Sequence, residues 1–124
     1  MPARILIVED DQIIAADLRL KVRRLGHEVV GMAISGEEAI GLALQFKPDL
    51  VLMDIQLDTA MNGGEAARTI QERTGARIVF VTAFPRDSVG IPEGGIYLSK
   101  PFSRVQLEEA VNGALCRRSQ GGAS

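Results

Sequence analysis

Acidic side chains directly follow two of the most apolar stretches of this sequence. Glu9, Asp10 and Asp11 come after "RILIV", and Asp54 comes after "DLVLM". Crowded carboxylates repel one another, and one of them takes up a proton unless a cation compensates the charge. Hard oxygen ligands without histidine or thiolate favour Mg²⁺ or Mn²⁺ over zinc, and Mg²⁺ in turn suits phosphate oxygens. If the two stretches are neighbouring strands, the acids form a divalent-metal site.

Two further side chains stand at the ends of apolar stretches. Thr82 lies near the end of "ARIVFVTA", and Lys100 follows "GGIYLS". A carboxylate beside a metal ion can attack phosphorus and form an acyl phosphate, while an ammonium and a hydroxyl bind the added oxygens. Taken singly, an acid after a strand is more often a turn or capping residue, Thr82 a strand residue and Lys100 a surface lysine. Their joint placement favours a site for phosphoryl chemistry.

Strand and helix signals alternate along the chain. Short apolar runs of this kind are typical of strands covered on both faces of a parallel sheet. The five runs are "RILIV", "HEVVGMA", "DLVLM", "ARIVFVTA" and "GGIYLS". The alternation predicts right-handed βαβ crossovers and an α/β fold. In such a sheet ligands bind beyond the carboxyl ends of the strands, where the acids stand.

Capping residues and helix breakers predict where the helices begin and end. "SGEE" from Ser35 and "SRVQ" from Ser103 are capping boxes, each opening a helix. The first helix is expected to stop at Gly26, and the second near Lys47, because Pro48 disfavours helix in the residue before it. "GGEAARTIQERTG" predicts a third helix that closes at its last glycine.

The interval between Thr82 and Lys100 departs from the alternation. Its sequence "AFPRDSVGIPEGGIYLS" contains two prolines and three glycines, too many for a full-length helix. The final "RRSQGGAS" predicts a frayed tail or the stub of a linker. We therefore predict one domain over residues 1–118 and a flexible tail over residues 119–124, within the usual size of a single domain.

The composition argues against several functional classes. The chain has 14 basic and 16 acidic residues with a net charge of −2, and its basic residues are dispersed, so direct binding of nucleic acid is not expected. The sole cysteine, Cys116, excludes an internal disulfide and permits a reducing compartment. No apolar run approaches the ~20 residues that cross a bilayer, and no signal peptide is evident. We expect a soluble, cytoplasmic domain without a membrane role.

These residues resemble the receiver domain of two-component response regulators from about Arg4 to Arg117. The resemblance rests on "ILIVEDD", on "DLVLMDIQL" followed by "MNGGEAA", on "VTA" and on "YLSKPF". "VTAFPRD" with "KPF" is also similar to receivers of alphaproteobacterial general-stress phosphorelays. The family implies a flavodoxin-like, CheY-like doubly wound five-stranded parallel sheet with strand order 2-1-3-4-5, here with a shortened or missing fourth helix.

The resemblance implies a metal-assisted phosphoacceptor. Asp54 matches the phosphorylated aspartate, Glu9 and Asp10 match the acidic pair that holds Mg²⁺, and Gln56 matches the position whose backbone carbonyl completes the coordination. The phosphoryl group would come from a histidine kinase or a histidine phosphotransfer protein. Such a domain is not a conventional enzyme, because it catalyses its own Mg²⁺-dependent phosphorylation and slow dephosphorylation.

The resemblance also implies a conformational switch. Thr82 matches the switch hydroxyl, Lys100 the lysine that binds the phosphoryl group, and Tyr97 the aromatic residue whose ring turns inward when the threonine moves toward that group. A cis Lys100–Pro101 bond is implied as well, a form that is uncommon for X–Pro bonds generally. A weak or phosphorylation-dependent dimer is compatible with the family, and the sequence does not name the downstream effector.

Two other functions remain open on the sequence alone. A phosphatase with an aspartate nucleophile would use a similar acid, but it expects a second aspartate two residues later, where this chain has Gln56. An interaction module that keeps the fold without being phosphorylated would not need the full set of site residues.

Overall fold

The strands form one parallel sheet with helices between them. The computed structural model describes residues 2–55, 63–82 and 96–123, and of residues 117–123 it describes the backbone alone. The strand order is β2-β1-β3-β4-β5, and every paired neighbour is parallel. The elements are β1 (Arg4–Val8), α1 (Gln12–Arg24), β2 (Glu28–Ala33), α2 (Gly36–Phe46), β3 (Leu50–Asp54), α3 (Gly63–Thr74), β4 (Arg77–Thr82), β5 (Ile96–Ser99) and α4 (Arg104–Ala123). The predicted α/β class and strand order are confirmed.

The sheet is covered on both faces. Alternate residues of the strands join two apolar clusters, one with α2 and α3 and the other with α1 and α4. All five residues of β3 are buried, whereas most residues of the edge strands β2 and β5 are half-buried or exposed. Uninterrupted apolar sequence therefore marks the central strands best, because they have a helical layer above and below.

The helix ends follow the capping signals. Asp11 caps α1, where its carboxylate accepts hydrogen bonds from two backbone N–H groups of the first turn. Ser35 caps α2, and Lys47 ends it in the left-handed conformation with φ 50°. Glycines with positive φ follow α1 and α3 at Gly26 and Gly75. The positions predicted for these three helix ends are confirmed.

Ser103 and Gln106 form a reciprocal capping box at the start of α4. The Gln106 N–H donates to Ser103 Oγ at 3.1 Å, and the Ser103 N–H donates to Gln106 Oε1 at 2.8 Å. Ser103→Ala should lower the free energy of unfolding by about 1 kcal/mol, because the first turn loses its acceptor. Ser103→Asp keeps an acceptor and should stay close to wild type in urea unfolding. Equal stability of the alanine and aspartate variants would contradict this assignment.

Two expectations concern the C-terminal tail and the segment between β4 and β5. The flexible tail expected from residue 119 stays a prediction, and the backbone of α4 is helical through Ala123. The division at residue 118 stays a prediction. The shortened or missing fourth helix falls on residues 83–95, outside the described residues. None of the helices in the described ranges combines the length and apolarity that a bilayer span needs.

Candidate functional site

The strand order brings the predicted site residues to one edge of the sheet. β1, β3, β4 and β5 are successive neighbours, so Glu9, Asp54, Thr82 and Lys100 all stand at the carboxyl edge. The Glu9 N–H donates to the Ala33 carbonyl at 3.0 Å, and the Lys100 N–H donates to the Thr82 carbonyl at 2.8 Å. These bonds extend the ladders past the strand ends, and the condition on which the predicted site depended is met.

Three carboxylates meet at this edge. Glu9, Asp10 and Asp54 each offer an oxygen, and these oxygens lie within 4.8 Å of one another. Glu9 and Asp54 are 2% and 5% exposed, and Asp10 is half-buried. Asp11, in contrast, serves as the N-cap of α1, with its Oδ1 at 2.9 Å from the N–H of Ile13. The acidic run after β1 is therefore divided between a candidate metal site and a helix cap.

Lys100 faces the carboxylates. Its Nζ donates to Glu9 Oε1 at 2.9 Å and lies 3.7 Å from Asp54 Oδ2. The Lys100–Pro101 peptide bond is cis, as the family resemblance predicts. One ammonium therefore contacts acids delivered by two different strands, and it neutralises part of the negative charge that burial concentrates here.

The environment of Glu9 favours its protonated form. Burial, a hydrogen bond with Asp54 and the charge of Asp54 raise the pKa of Glu9, which is about 7 instead of its ordinary 4.5 when all contributions are combined. Hydrogen bonds from Lys100 and from the Asp11 N–H act in the opposite direction and lower this pKa. Because a metal ion binds the deprotonated carboxylate, ion binding at this site has to release the proton that Glu9 holds near neutral pH.

Gly63 touches the backbone of the strand that ends in Asp54. A Cβ atom at Gly63 would lie 2.2 Å from the Asp54 carbonyl oxygen and 2.7 Å from the Cα of Ile55. The Gly63 N–H also donates to the Ile55 carbonyl at 3.1 Å. The start of α3 therefore packs directly against the backbone of Asp54. Glycine leaves room for this contact because it has no Cβ.

The predicted switch residues lie on β4 and on its neighbour β5, the edge strand. Thr82 is buried as the last residue of β4, and Tyr97 is half-buried in β5. Gln56, predicted to supply a backbone carbonyl, lies outside the described residues. Sequence reasoning assigned no role to Gly63 or to Phe80, whose ring stacks on that of Tyr97. The "MNGGEAA" motif contained a signal for Gly63, whereas the stacking depends on strand register.

Comparison with known families now identifies the fold. Residues 5–112 match the model of the response regulator receiver domain. The chain belongs to this family. Receiver domains work with histidine kinases or phosphotransfer proteins, so this receiver domain is part of a two-component or phosphorelay signalling system.

Individual relatives place the receiver domain in proteins of different lengths. It is 41% identical to the transcriptional regulatory protein PdtaR of Mycobacterium tuberculosis (strain H37Rv), over 94% of this chain and 58% of PdtaR. It is 34% identical to the polar-differentiation response regulator DivK of Brucella anthropi, over 93% of this chain and 98% of DivK. The crystal structure of the response regulator PhyR from Brucella abortus matches with a TM-score of 0.88 and 35% identity, over 98% of this chain and 51% of that one.

The chain thus spans about half the length of PdtaR and of the PhyR chain, and nearly all of DivK. Solved PhyR structures from more than one organism are similar to it, including the anti-anti-sigma factor PhyR of Bartonella quintana at 34% identity and a TM-score of 0.88. This similarity is consistent with the predicted resemblance to receivers of general-stress phosphorelays.

Proposed function

We propose that this receiver domain accepts a phosphoryl group on Asp54 in a reaction that requires a divalent cation. The observation that supports the proposal most strongly is the convergence of Glu9, Asp10 and Asp54 within 4.8 Å, with the Lys100 ammonium 3.7 Å from Asp54. A buried carboxylate next to both a candidate metal site and a lysine has the features of an activated oxygen nucleophile.

The donor set fits Mg²⁺. Glu9, Asp10 and Asp54 offer hard carboxylate oxygens, and neither histidine nor cysteine accompanies them in the described cluster. Mn²⁺ accepts the same ligands, and the Gln56 carbonyl would add a further oxygen. When bound, the ion supplies positive charge to the non-bridging oxygens of the phosphoryl group.

The residues of the chain perform the remaining steps. An Asp54 carboxylate oxygen attacks phosphorus and forms the O–P bond, while the bond to the donor's histidine nitrogen breaks and its electron pair stays on the imidazole. Lys100 moves its ammonium toward the transferred group, and the Thr82 hydroxyl donates to one of its oxygens. Water attacking in line later hydrolyses the acyl phosphate, which returns Asp54 to its carboxylate form.

The partner would be a histidine kinase or a histidine phosphotransfer protein, and transfer from it would take place in the cytoplasm. The chain spans about half of PdtaR and of PhyR. What the whole protein does after phosphorylation is therefore part of the same proposal. The phosphoryl group would change the Thr82 and Tyr97 region, and a weak dimer that forms on phosphorylation would be one readout.

Incubation with a small acyl-phosphate donor tests the proposal. With Mg²⁺, intact-mass spectrometry should show one added phosphoryl group that hydroxylamine removes, because hydroxylamine cleaves acyl phosphates. With excess EDTA the mass should stay unchanged. An unmodified mass under both conditions would reject the phosphoacceptor role, and multiple turnover of a generic phosphomonoester would instead favour a phosphatase.

The raised pKa of Glu9 predicts a pH dependence of stability and of ion binding. Between 4.5 and about 7 the folded chain holds a proton that the unfolded chain has released. The stabilisation from this proton is complete below 4.5 and is lost as the pH rises through about 7, so in EDTA the free energy of unfolding should fall by at most about 3 kcal/mol. Mg²⁺ affinity should rise over about pH 6 to 8, because the ion displaces the proton.

Urea unfolding in EDTA and Mg²⁺ titrations at constant ionic strength measure the two effects. Glu9→Gln removes the titrating group, so its unfolding and its ion affinity should both lose the pH-dependent part that is centred near neutrality. A wild-type Mg²⁺ affinity that is constant across this pH range would contradict the prediction.

A further inference from the structure

Two aromatic rings pack against each other on neighbouring strands beside the site. Phe80 of β4 and Tyr97 of β5 are partners in the strand register. Their ring centroids lie 5.5 Å apart with an interplanar angle of 24°, an offset-stacked arrangement. Phe80 is 4% exposed and belongs to the apolar cluster under α2 and α3, so its ring is anchored in the core.

The stacked pair lies on the two strands that deliver Thr82 and Lys100. Phe80 precedes Thr82 by two residues in β4, and Tyr97 precedes Lys100 by three residues in and after β5. The Tyr97 hydroxyl oxygen is buried, so the ring is turned toward the protein rather than toward solvent. The position of the Tyr97 ring is therefore set against a residue of the buried core.

We propose that Phe80 is a positioning residue that holds the Tyr97 ring in its inward position. The stacking stabilises the inward ring before a phosphoryl group reaches Asp54, so the chain starts with its aromatic switch biased toward the form that phosphorylation favours. The meaning of this bias rests on the proposed function. The contact between the Phe80 and Tyr97 rings does not rest on it, because the contact is observed independently of whether Asp54 accepts a phosphoryl group.

Plain core packing is the competing explanation of Phe80. A side chain that only fills space can be replaced by another of similar volume without moving its neighbours. An aromatic ring that stacks cannot be replaced in this way. The geometry-dependent part of the aromatic interaction changes the ratio of stacked to unstacked partner rings roughly two- to twelvefold. Phe80→Met keeps most of the volume and loses the ring, so it separates the two explanations. Phe80→Leu removes the ring together with some volume.

Tyr97 can be observed without interference from other residues of its kind. The chain has one tyrosine and no tryptophan, so 3-fluorotyrosine places a single ¹⁹F label at Tyr97. The change in its resonance between H₂O and D₂O reports solvent exposure of the ring, and acrylamide quenching of tyrosine fluorescence measures the same property independently. Phe46→Leu, at the end of α2 and the opposite end of the sheet, is the matched control.

The proposal expects Phe80→Met and Phe80→Leu to raise the ratio of outward to inward Tyr97 rings roughly two- to twelvefold, which increases the solvent exposure of the ring. Phe46→Leu should leave it unchanged. Unchanged exposure in both folded Phe80 variants would overturn the proposal. Loss of folding in both variants would overturn it too, since Phe80 would then support the core rather than the tyrosine ring.

Binding of beryllium fluoride with Mg²⁺ provides the functional measurement. Phe80→Met should bind this phosphoryl mimic roughly two- to twelvefold more weakly than wild type, because the inward ring is no longer favoured in advance. Unchanged mimic affinity in a variant with an exposed ring would overturn the coupling to the switch. If the wild-type chain binds no mimic, the proposed function fails, and the ¹⁹F measurement still decides the role of Phe80.

Discussion

Asp54→Asn should abolish phosphoryl incorporation, while Asp49→Asn should leave it at the wild-type level. Asp49 directly precedes β3 and Asp54 is its last residue, so the two stand at opposite ends of the strand. Asp54 stands at the carboxyl edge beside Lys100, and its carboxylate is the proposed nucleophile; a carboxamide oxygen is too weakly nucleophilic to replace it. Both variants are incubated under identical conditions with Mg²⁺ and an acyl-phosphate donor. Intact-mass spectrometry then measures the phosphoryl incorporation of each.

Asp49 is a suitable control because its carboxylate has an identifiable structural task. Its Oδ2 accepts a hydrogen bond from the Arg4 N–H at 2.8 Å, and an asparagine oxygen can accept the same bond. Asp54→Asn should also remain folded, since it removes a buried charge from a crowded site and removes a cause of the raised pKa of Glu9. Phosphoryl incorporation that persists in Asp54→Asn would place the acceptor elsewhere in the chain.

Gly63→Ala should destabilise the domain and impair the site together. The added methyl group would lie 2.2 Å from the Asp54 carbonyl oxygen, a backbone atom that cannot rotate away. Overpacking of this kind costs about 1–3 kcal/mol of folding free energy. Relief of the clash must shift the end of β3, and a displacement near 1 Å can reduce a rate on the order of a hundredfold. Urea unfolding and the rate of phosphorylation by an acyl phosphate measure the two effects.

Gly41→Ala provides the opposite expectation for the same substitution. A Cβ at Gly41 meets nothing within 4 Å, and the residue lies inside α2. Alanine is a better helix former than glycine by about 1 kcal/mol, so this variant should be as stable as wild type or more stable. If Gly63→Ala matches wild type in both stability and phosphorylation rate, the close approach of α3 to Asp54 is not required for either property.

Much of the fold could be predicted because local rules and the global fold agree. Apolar runs with helix signals between them indicate a parallel sheet, and the first residues after each run indicate its functional edge. The capping box at Ser103 was confirmed in both of its hydrogen bonds. At Ser35 the box differs in detail, since the Glu38 carboxylate accepts from the N–H of Ile34, one residue earlier than expected.

The features that escaped prediction depend on contacts between distant parts of the chain. His27 Nδ1 accepts a hydrogen bond from the Ala3 N–H at 2.9 Å, because β2 begins beside the residues that precede β1. The stacking of Phe80 on Tyr97 requires the register of β4 and β5. The division of the acids between a metal site and the Asp11 cap requires side-chain directions, which sequence spacing does not contain.

The site draws its members from parts of the sheet that differ in how firmly they are held. The carboxylates stand at the ends of β1 and β3, which have a partner strand on each side. Tyr97 lies on β5 and Lys100 directly follows it, and this four-residue strand pairs with β4 alone in the described ranges. A strand with a single neighbour gives way more readily than one clamped between two. The proposed reacting carboxylates therefore stand on the firmly held centre of the sheet, and the proposed switch residue Tyr97 stands on its less firmly held edge.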